Sequence, residues 1–159
     1  MRKRFEQQIE IGSLLIQDTK ISFKCRDSLL ELMAALKELF TNATYNTKIF
    51  NILEELLLTN KKNTGRRGMD LWQIFVLSQV RLCMNISYDR LHYISNHDKL
   101  VRQILGVEKA AGFEQIEFEY QNIYDNVTLL NDDAIKKMNE VIIAFGHDVL
   151  KKKRRHHCA

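Results

Sequence analysis

The stretch TGRRGMDLWQIFVL, residues 64–77, places a short basic turn directly before a run of apolar residues. Asp70 is a good helix N-cap, and Gln73 three residues later completes a capping-box pattern. From Leu71 to about Met84, apolar residues occur almost all round the helix, and such a helix packs in the middle of a core. This segment therefore predicts a buried central helix around which the rest of the chain folds.

The composition favours an all-α fold. The chain has 159 residues, of which 45% are hydrophobic, with no proline and only 6 glycines. This length is enough for one domain with a real core, and proline and glycine are the residues that break or weaken helices. We expect a compact domain of six or seven helices. The others lie at about 28–40, 46–58, 118–128 and 132–150, together with a short helix capped by Ser87 and one that starts near Asp98 and stops at Gly106.

Three regions follow from this pattern. Residues 1–26 form a short N-terminal arm, in which Ile9 to Phe23 is either extended or a short strand pair. Residues 27–150 form the helical domain. The tail KKKRRHHCA, residues 151–159, is expected to be disordered and solvated.

Several classes of protein are disfavoured. No apolar run is long enough for a membrane helix, and the N-terminus lacks the apolar core of a secretory signal, so we expect a cytoplasmic protein. The three cysteines, Cys25, Cys83 and Cys158, lie far apart and read as reduced thiols. The net charge is +4, but five of the 24 basic residues lie in 151–155, so only local patches can argue for nucleic acid.

No catalytic or metal motif is found in the sequence. A phosphate-binding loop, a nucleophile elbow and a His–Glu metal helix are all missing. Glu117 with Glu119 and Asp132 with Asp133 are paired acids, but neither pair has a catalytic partner at a recognisable spacing. We therefore expect no enzymatic activity, no metal site and no cofactor in this chain.

The segment 59–68 is polar, basic and glycine-bearing, and it is predicted to be a loop. Lys61, Lys62, Arg66 and Arg67 lie in it with no acid among them. The glycines allow backbone amides to approach a phosphate closely. Two interpretations stay open, which are contact with a DNA backbone and an ordinary solvated loop.

The three helices between Asp70 and Leu105 form a candidate helix-turn-helix-like trio. Arg90, His92, Lys99 and Arg102 would lie on the polar faces of its second and third helices, within reach of phosphates or base edges. The alternative is an ordinary helical core with solvated charges.

The elements TGR at 64–66, GMDLW at 68–72, DRL at 89–91 and LG at 105–106 occur in a specific order and spacing. In this the chain resembles the N-terminal region of bacterial insertion-sequence transposases, most closely over 64–77 and 88–107, and more loosely over 1–8 and 125–131. Arg67 stands where that family usually has proline, which loosens the turn but adds a charge.

The resemblance implies a helical module that binds the terminal inverted repeats of a transposable element and helps to assemble the transposase. The family's catalytic domain, with an RNase-H-like fold and three carboxylates that hold two divalent metal ions, would follow this region. Residue 159 falls before that domain. A run of A encoding Lys151–Lys153, followed by RRHHCA, suggests a frameshift at this point.

We therefore predict a DNA-binding and assembly module for DNA transposition that lacks the catalytic domain. Its phosphate contacts would be Lys61, Lys62, Arg66 and Arg67, with Arg90, Lys99 and Arg102 as further contacts. The partners would be DNA and a second copy or full-length transposase. The alternative is a dimerisation module that regulates full-length transposase through the apolar helix 71–84 and the acidic stretch 114–125; a third possibility is a non-functional fragment of a decayed element.

Overall fold

Seven α-helices build the part of the chain that the computed structural model describes, which comprises residues 2–5, 10–24, 26–59 and 68–157. The all-α prediction is confirmed. Within the described ranges the arm forms no strand pair, only a short 3-10 helix at Ile16–Asp18 and one isolated bridge between Ser13 and Lys109. The helices are α1 (Ser28–Thr41), α2 (Ala43–Thr59), α3 (Leu71–Met84), α4 (Tyr88–His97), α5 (Lys99–Ile104), α6 (Tyr120–Val127) and α7 (Asp132–His157).

Helix α3 lies at the centre of the core, as its sequence predicts. Every residue from Leu71 to Val80 is buried except the half-buried Gln73. The Trp72 indole donates a hydrogen bond of 2.7 Å to the carbonyl of Ile104, which satisfies its polar edge inside the core. Only the last turn reaches the surface, where Leu82 is 42% exposed.

The N-terminus of α3 is capped by the arm and not by the predicted capping box. The backbone amides of Leu71 and Trp72 donate to the carbonyls of Lys3 and Arg4, at 3.0 and 2.9 Å. Asp70 occupies the N-cap position but its side chain makes no cap hydrogen bond, and the Gln73 amide donates to Leu105. The prediction was wrong because a distant segment supplies the acceptors that free helix amides need.

The other helix boundaries follow local signals. Asp27, Ser87 and Asp98 each accept a backbone amide of the helix that they precede, as N-caps do. Gly106, at φ 75°, ends the segment after α5, and Asn85, at φ 50°, ends α3 in the left-handed conformation.

Helices α2 and α7 form an antiparallel pair. Near the start of α2, the Tyr45 hydroxyl donates to the Asp148 carboxylate, and the Tyr45 and Phe145 rings lie 5.3 Å apart. Towards its end, Glu55 approaches Lys137 at 4.0 Å.

None of the helices in the described ranges combines the length and the apolar character that a membrane span requires.

Helix α7 continues to His157, so the prediction of a disordered tail is wrong over residues 151–157. The amphipathic pattern weakens after Leu150, but lysine and arginine are good helix formers and their charges suit the negative end of a helix dipole. The last turns therefore extend the helix even though Lys151 to His156 are all exposed.

Candidate functional site

The four residues that carried the main DNA-contact prediction, Lys61, Lys62, Arg66 and Arg67, lie outside the described residues. Their segment connects the end of α2 to Gly68, immediately before α3. The prediction for these four side chains therefore stays a prediction.

Arg90 and Lys99 are both exposed, on α4 and at the start of α5. The Arg90 guanidinium lies 5.1 Å from the centre of the Tyr93 ring. The rings of Tyr93 and His97 lie 4.5 Å apart on the same outer side of the helix. Helix α4 thus presents a surface with a guanidinium, a phenol and an imidazole.

Arg102 lies in the protein interior, so its predicted place on a polar face is wrong. Its side chain is 3% exposed, and its Nε lies 2.7 Å from Oε2 of Glu108, which is 9% exposed. Its terminal nitrogens donate to the carbonyls of Ser95 at 3.1 Å and Ile116 at 2.6 Å. On a six-residue helix, spacing alone did not reveal that the following loop would fold back with a carboxylate partner.

His92 is half-buried and helps to fix the segment before α6. Its Nε2 lies 2.9 Å from the carbonyl of Phe118. Asn96, one turn along α4, donates to the same carbonyl at 2.9 Å and accepts from the Phe118 amide at 2.8 Å. These contacts hold the start of α6 against α4.

The described ranges contain no group of His, Cys, Asp and Glu side chains that is suited to hold a metal ion.

The connections within the predicted trio differ from each other. Helices α3 and α4 are joined by residues 85–87, a length typical of the turn in a helix-turn-helix unit. Helices α4 and α5 are separated only by Asp98, which caps α5. The buried α3 is therefore joined by a short turn to α4, which has an exposed side, and α5 follows α4 directly.

A surface around α6 overlaps the acidic stretch 114–125 that was predicted as part of a dimerisation interface, and it adds aromatic side chains that were not predicted. Ile116, Tyr120 and Tyr124 are 48%, 38% and 42% exposed. The two tyrosine rings stack with centres 6.2 Å apart. Three exposed carboxylates lie between these side chains in the sequence or next to them. We call the combined surface the acidic–aromatic strip; its members are Ile116, Glu117, Glu119, Tyr120, Tyr124 and Asp125.

The strip continues onto α3 and α4 through ring contacts. Tyr88 lies edge-on to Tyr124 at 4.9 Å, and the Arg81 guanidinium lies 4.3 Å from the centre of the Tyr88 ring. The spacing of Ile116, Tyr120 and Tyr124 could have revealed this row, but the predicted dimerisation surface at 114–125 was based on its acidic residues alone.

Beside the strip, Glu117, Glu119 and Asp125 line an open cleft of about 490 Å³ together with Arg2 from the arm. Arg2 donates to the side chain of Asn126 and, at 3.3 Å, to the carbonyl of Met69. The cleft thus already accommodates one guanidinium of the same chain.

A second cleft, of about 330 Å³, lies near the start of α3. Two of its carboxylates are engaged in ion pairs, Glu10 with Lys109 at 2.8 Å and Glu108 with Arg102. These charges hold the arm and the loop before α6 in place.

Comparison with protein-family models, with curated proteins and with solved structures gives no match for this chain.

Proposed function

We propose that this chain is a DNA-binding module of the insertion-sequence transposase type, and that it binds the terminal inverted repeats of a transposable element. The observation that supports this best is the arrangement of α4. This helix is attached to the buried α3 by a short turn, and it turns Arg90, Tyr93 and His97 towards solvent. A supported helix with an exposed polar side is the element that DNA-binding helical proteins place in the major groove.

The chemistry of the exposed side chains suits this role. A guanidinium such as that of Arg90 can bind a phosphate or the edge of a guanine with two parallel hydrogen bonds. Lys99 offers a positive charge for phosphate, and Lys61, Lys62, Arg66 and Arg67, in the segment before α3, offer four more. Contacts of this kind position a protein on DNA and make binding sensitive to salt.

The resemblance adds the biological setting. Its second matching stretch, residues 88–107, is the part of the chain that builds α4 and α5. In this proposal the module recognises DNA for transposition, and strand cleavage belongs to a separate catalytic domain. Arg102 has no DNA-contact role in it, because its side chain is buried.

The test compares binding to a duplex carrying the element's terminal repeat with binding to a scrambled duplex, by fluorescence anisotropy over a range of salt concentrations. Changing Arg66 and Arg67 to Ala is expected to weaken binding and to reduce the salt slope by about 0.9 for each lost phosphate contact. Changing Lys20 and Lys24 to Ala, two exposed arm residues, removes the same charge and serves as control. No preference for the terminal repeat would remove the transposase interpretation, and an unchanged slope would exclude Arg66 and Arg67 as contacts.

A further inference from the structure

The outer side of α7 is an amphipathic surface that its own chain leaves exposed. Ile143 and Leu150 are 59% and 58% exposed, although large aliphatic side chains are usually buried. With His147 and Arg154 they follow the spacing i, i+4, i+7 and i+11, which places them on one face of a helix. Met138 and Phe145, on the opposite side, are the buried residues. The exposed face therefore carries two large aliphatic side chains and ends in cations.

This face complements the acidic–aromatic strip in both charge and polarity. The strip combines three carboxylates with Ile116, Tyr120 and Tyr124, and the sequence from 110 to 135 contains no lysine or arginine. A phosphate backbone would be repelled there, whereas lysine and arginine gain from both carboxylates and tyrosine ring faces.

The α7 face cannot reach the strip of its own chain. Helix α7 starts at Asp132, shortly after α6, and Lys151 lies about 30 Å further along the helix axis. Contacts with α2 near both ends, Lys137 with Glu55 and Asp148 with Tyr45, hold α7 in this direction. A contact between the α7 face and such a strip therefore requires a second molecule.

We propose that two copies of this chain associate by placing the outer face of α7 of one copy on the acidic–aromatic strip of the other. Ile143 and Leu150 then cover the exposed apolar side chains of the strip, and the cations at the end of α7 lie against Glu117, Glu119 and Asp125. The predicted apolar interface on α3 has no part in this contact, because that helix is buried in its own core. The association is independent of DNA binding.

The test is a charge exchange measured by sedimentation without DNA. One variant carries Glu117→Lys, Glu119→Lys and Asp125→Lys, and the other carries Lys151→Glu, Arg154→Glu and Arg155→Glu. Each variant alone opposes like charges at the contact, so its self-association is expected to fall by about tenfold or more. An equimolar mixture restores opposite charges at both contacts and is expected to associate like the unmodified chain.

A third variant, with Asp18, Glu31 and Glu38 changed to Lys, makes the same change in charge at exposed sites away from the strip. It is expected to associate like the unmodified chain, and circular dichroism shows whether each variant is folded. Weaker association at high salt would support the proposal, since exposed charges are screened. An unmodified chain that stays monomeric at low salt, or a mixture that does not recover, would overturn it. If the variant at the end of α7 loses only DNA affinity, that end binds phosphate and the proposal is also wrong.

Discussion

Arg102 and Glu108 form a buried ion pair across the turn that follows α5, with 2.7 Å between Arg102 Nε and Glu108 Oε2. The same guanidinium donates to the carbonyls of Ser95 and Ile116. One side chain therefore joins α4, α5 and the loop that leads to α6, and its removal should destabilise all three.

Changing Arg102 to Ala leaves the Glu108 carboxylate buried without its partner. The free energy of unfolding is expected to fall by about 3–5 kcal/mol, which is the usual result when one member of a buried pair is removed. Urea denaturation followed by circular dichroism measures this change. The exposed Arg90, changed to Ala, is the control and should alter stability by less than about 0.5 kcal/mol. Similar small effects for both variants would contradict a structural role for Arg102.

Docking of the arm is expected to weaken in acid. The hydrogen bond from Arg4 to Glu54, at 2.6 Å, lowers the pKa of the Glu54 carboxyl below its ordinary value. Because the folded state holds Glu54 ionised, the pair stabilises the docked arm above the ordinary pKa of glutamate. That contribution is lost as the pH falls through the lowered value.

Hydrogen exchange of the Leu71 and Trp72 amides, which donate to the arm, measures this docking. Protection of both amides should decrease on acidification in the unmodified chain, after correction for the intrinsic exchange rate. In a Glu54→Gln variant the acid-dependent part should disappear. Equal pH dependence in the two proteins would show that the pair does not govern the arm.

Gly106 is expected to tolerate alanine poorly for two reasons. Its φ of 75° is a left-handed conformation, and an added Cβ would lie 2.5 Å from Cζ of Phe5 in the arm. Gly112, at φ 91°, has no atom within 4 Å of such a Cβ. Its change to Ala is therefore the control that measures the cost of the left-handed backbone without a steric clash. Gly112→Ala should cost about 1 kcal/mol and Gly106→Ala clearly more, measured by thermal unfolding. Equal losses would mean that Phe5 moves away freely.

Arg90 and Lys99 should act on DNA affinity without acting on stability. Each change to Gln is expected to lower the salt slope of duplex binding by about 0.9, since each would release one phosphate contact. Unfolding by urea should be unchanged, because both side chains are exposed. The control is Lys20→Gln in the arm. If the slopes of all three variants match the unmodified chain, α4 and α5 lie away from the duplex.

The sequence predicted those parts of the fold that depend on neighbouring residues. The all-round apolar character of residues 71–80 indicated the central helix, and Ser87 and Asp98 indicated where two helices begin. It did not predict contacts between distant segments. The acceptors for α3 come from the arm, and the partner of Arg102 comes from a loop whose path no periodicity describes.

The candidate site shows the same division. Spacing predicted correctly that Arg90 and Lys99 are exposed, but the same reasoning placed the buried Arg102 on the surface. The ring contacts among Tyr88, Tyr120 and Tyr124 depend on how α6 lies against α4, and that packing is set by Asn96 and Phe118. A surface built from two helices becomes visible only once their arrangement is known.

The capping of α3 by Lys3 and Arg4 also implies an order of folding. The arm can bind only after the intervening helices have brought the start of α3 close to it, because closing so long a loop earlier carries an entropic cost without compensating contacts. The helices should therefore collapse first, with the amides of Leu71 and Trp72 still open to water. The arm, which precedes these helices in the sequence, is then the last of these segments to reach its place in the fold.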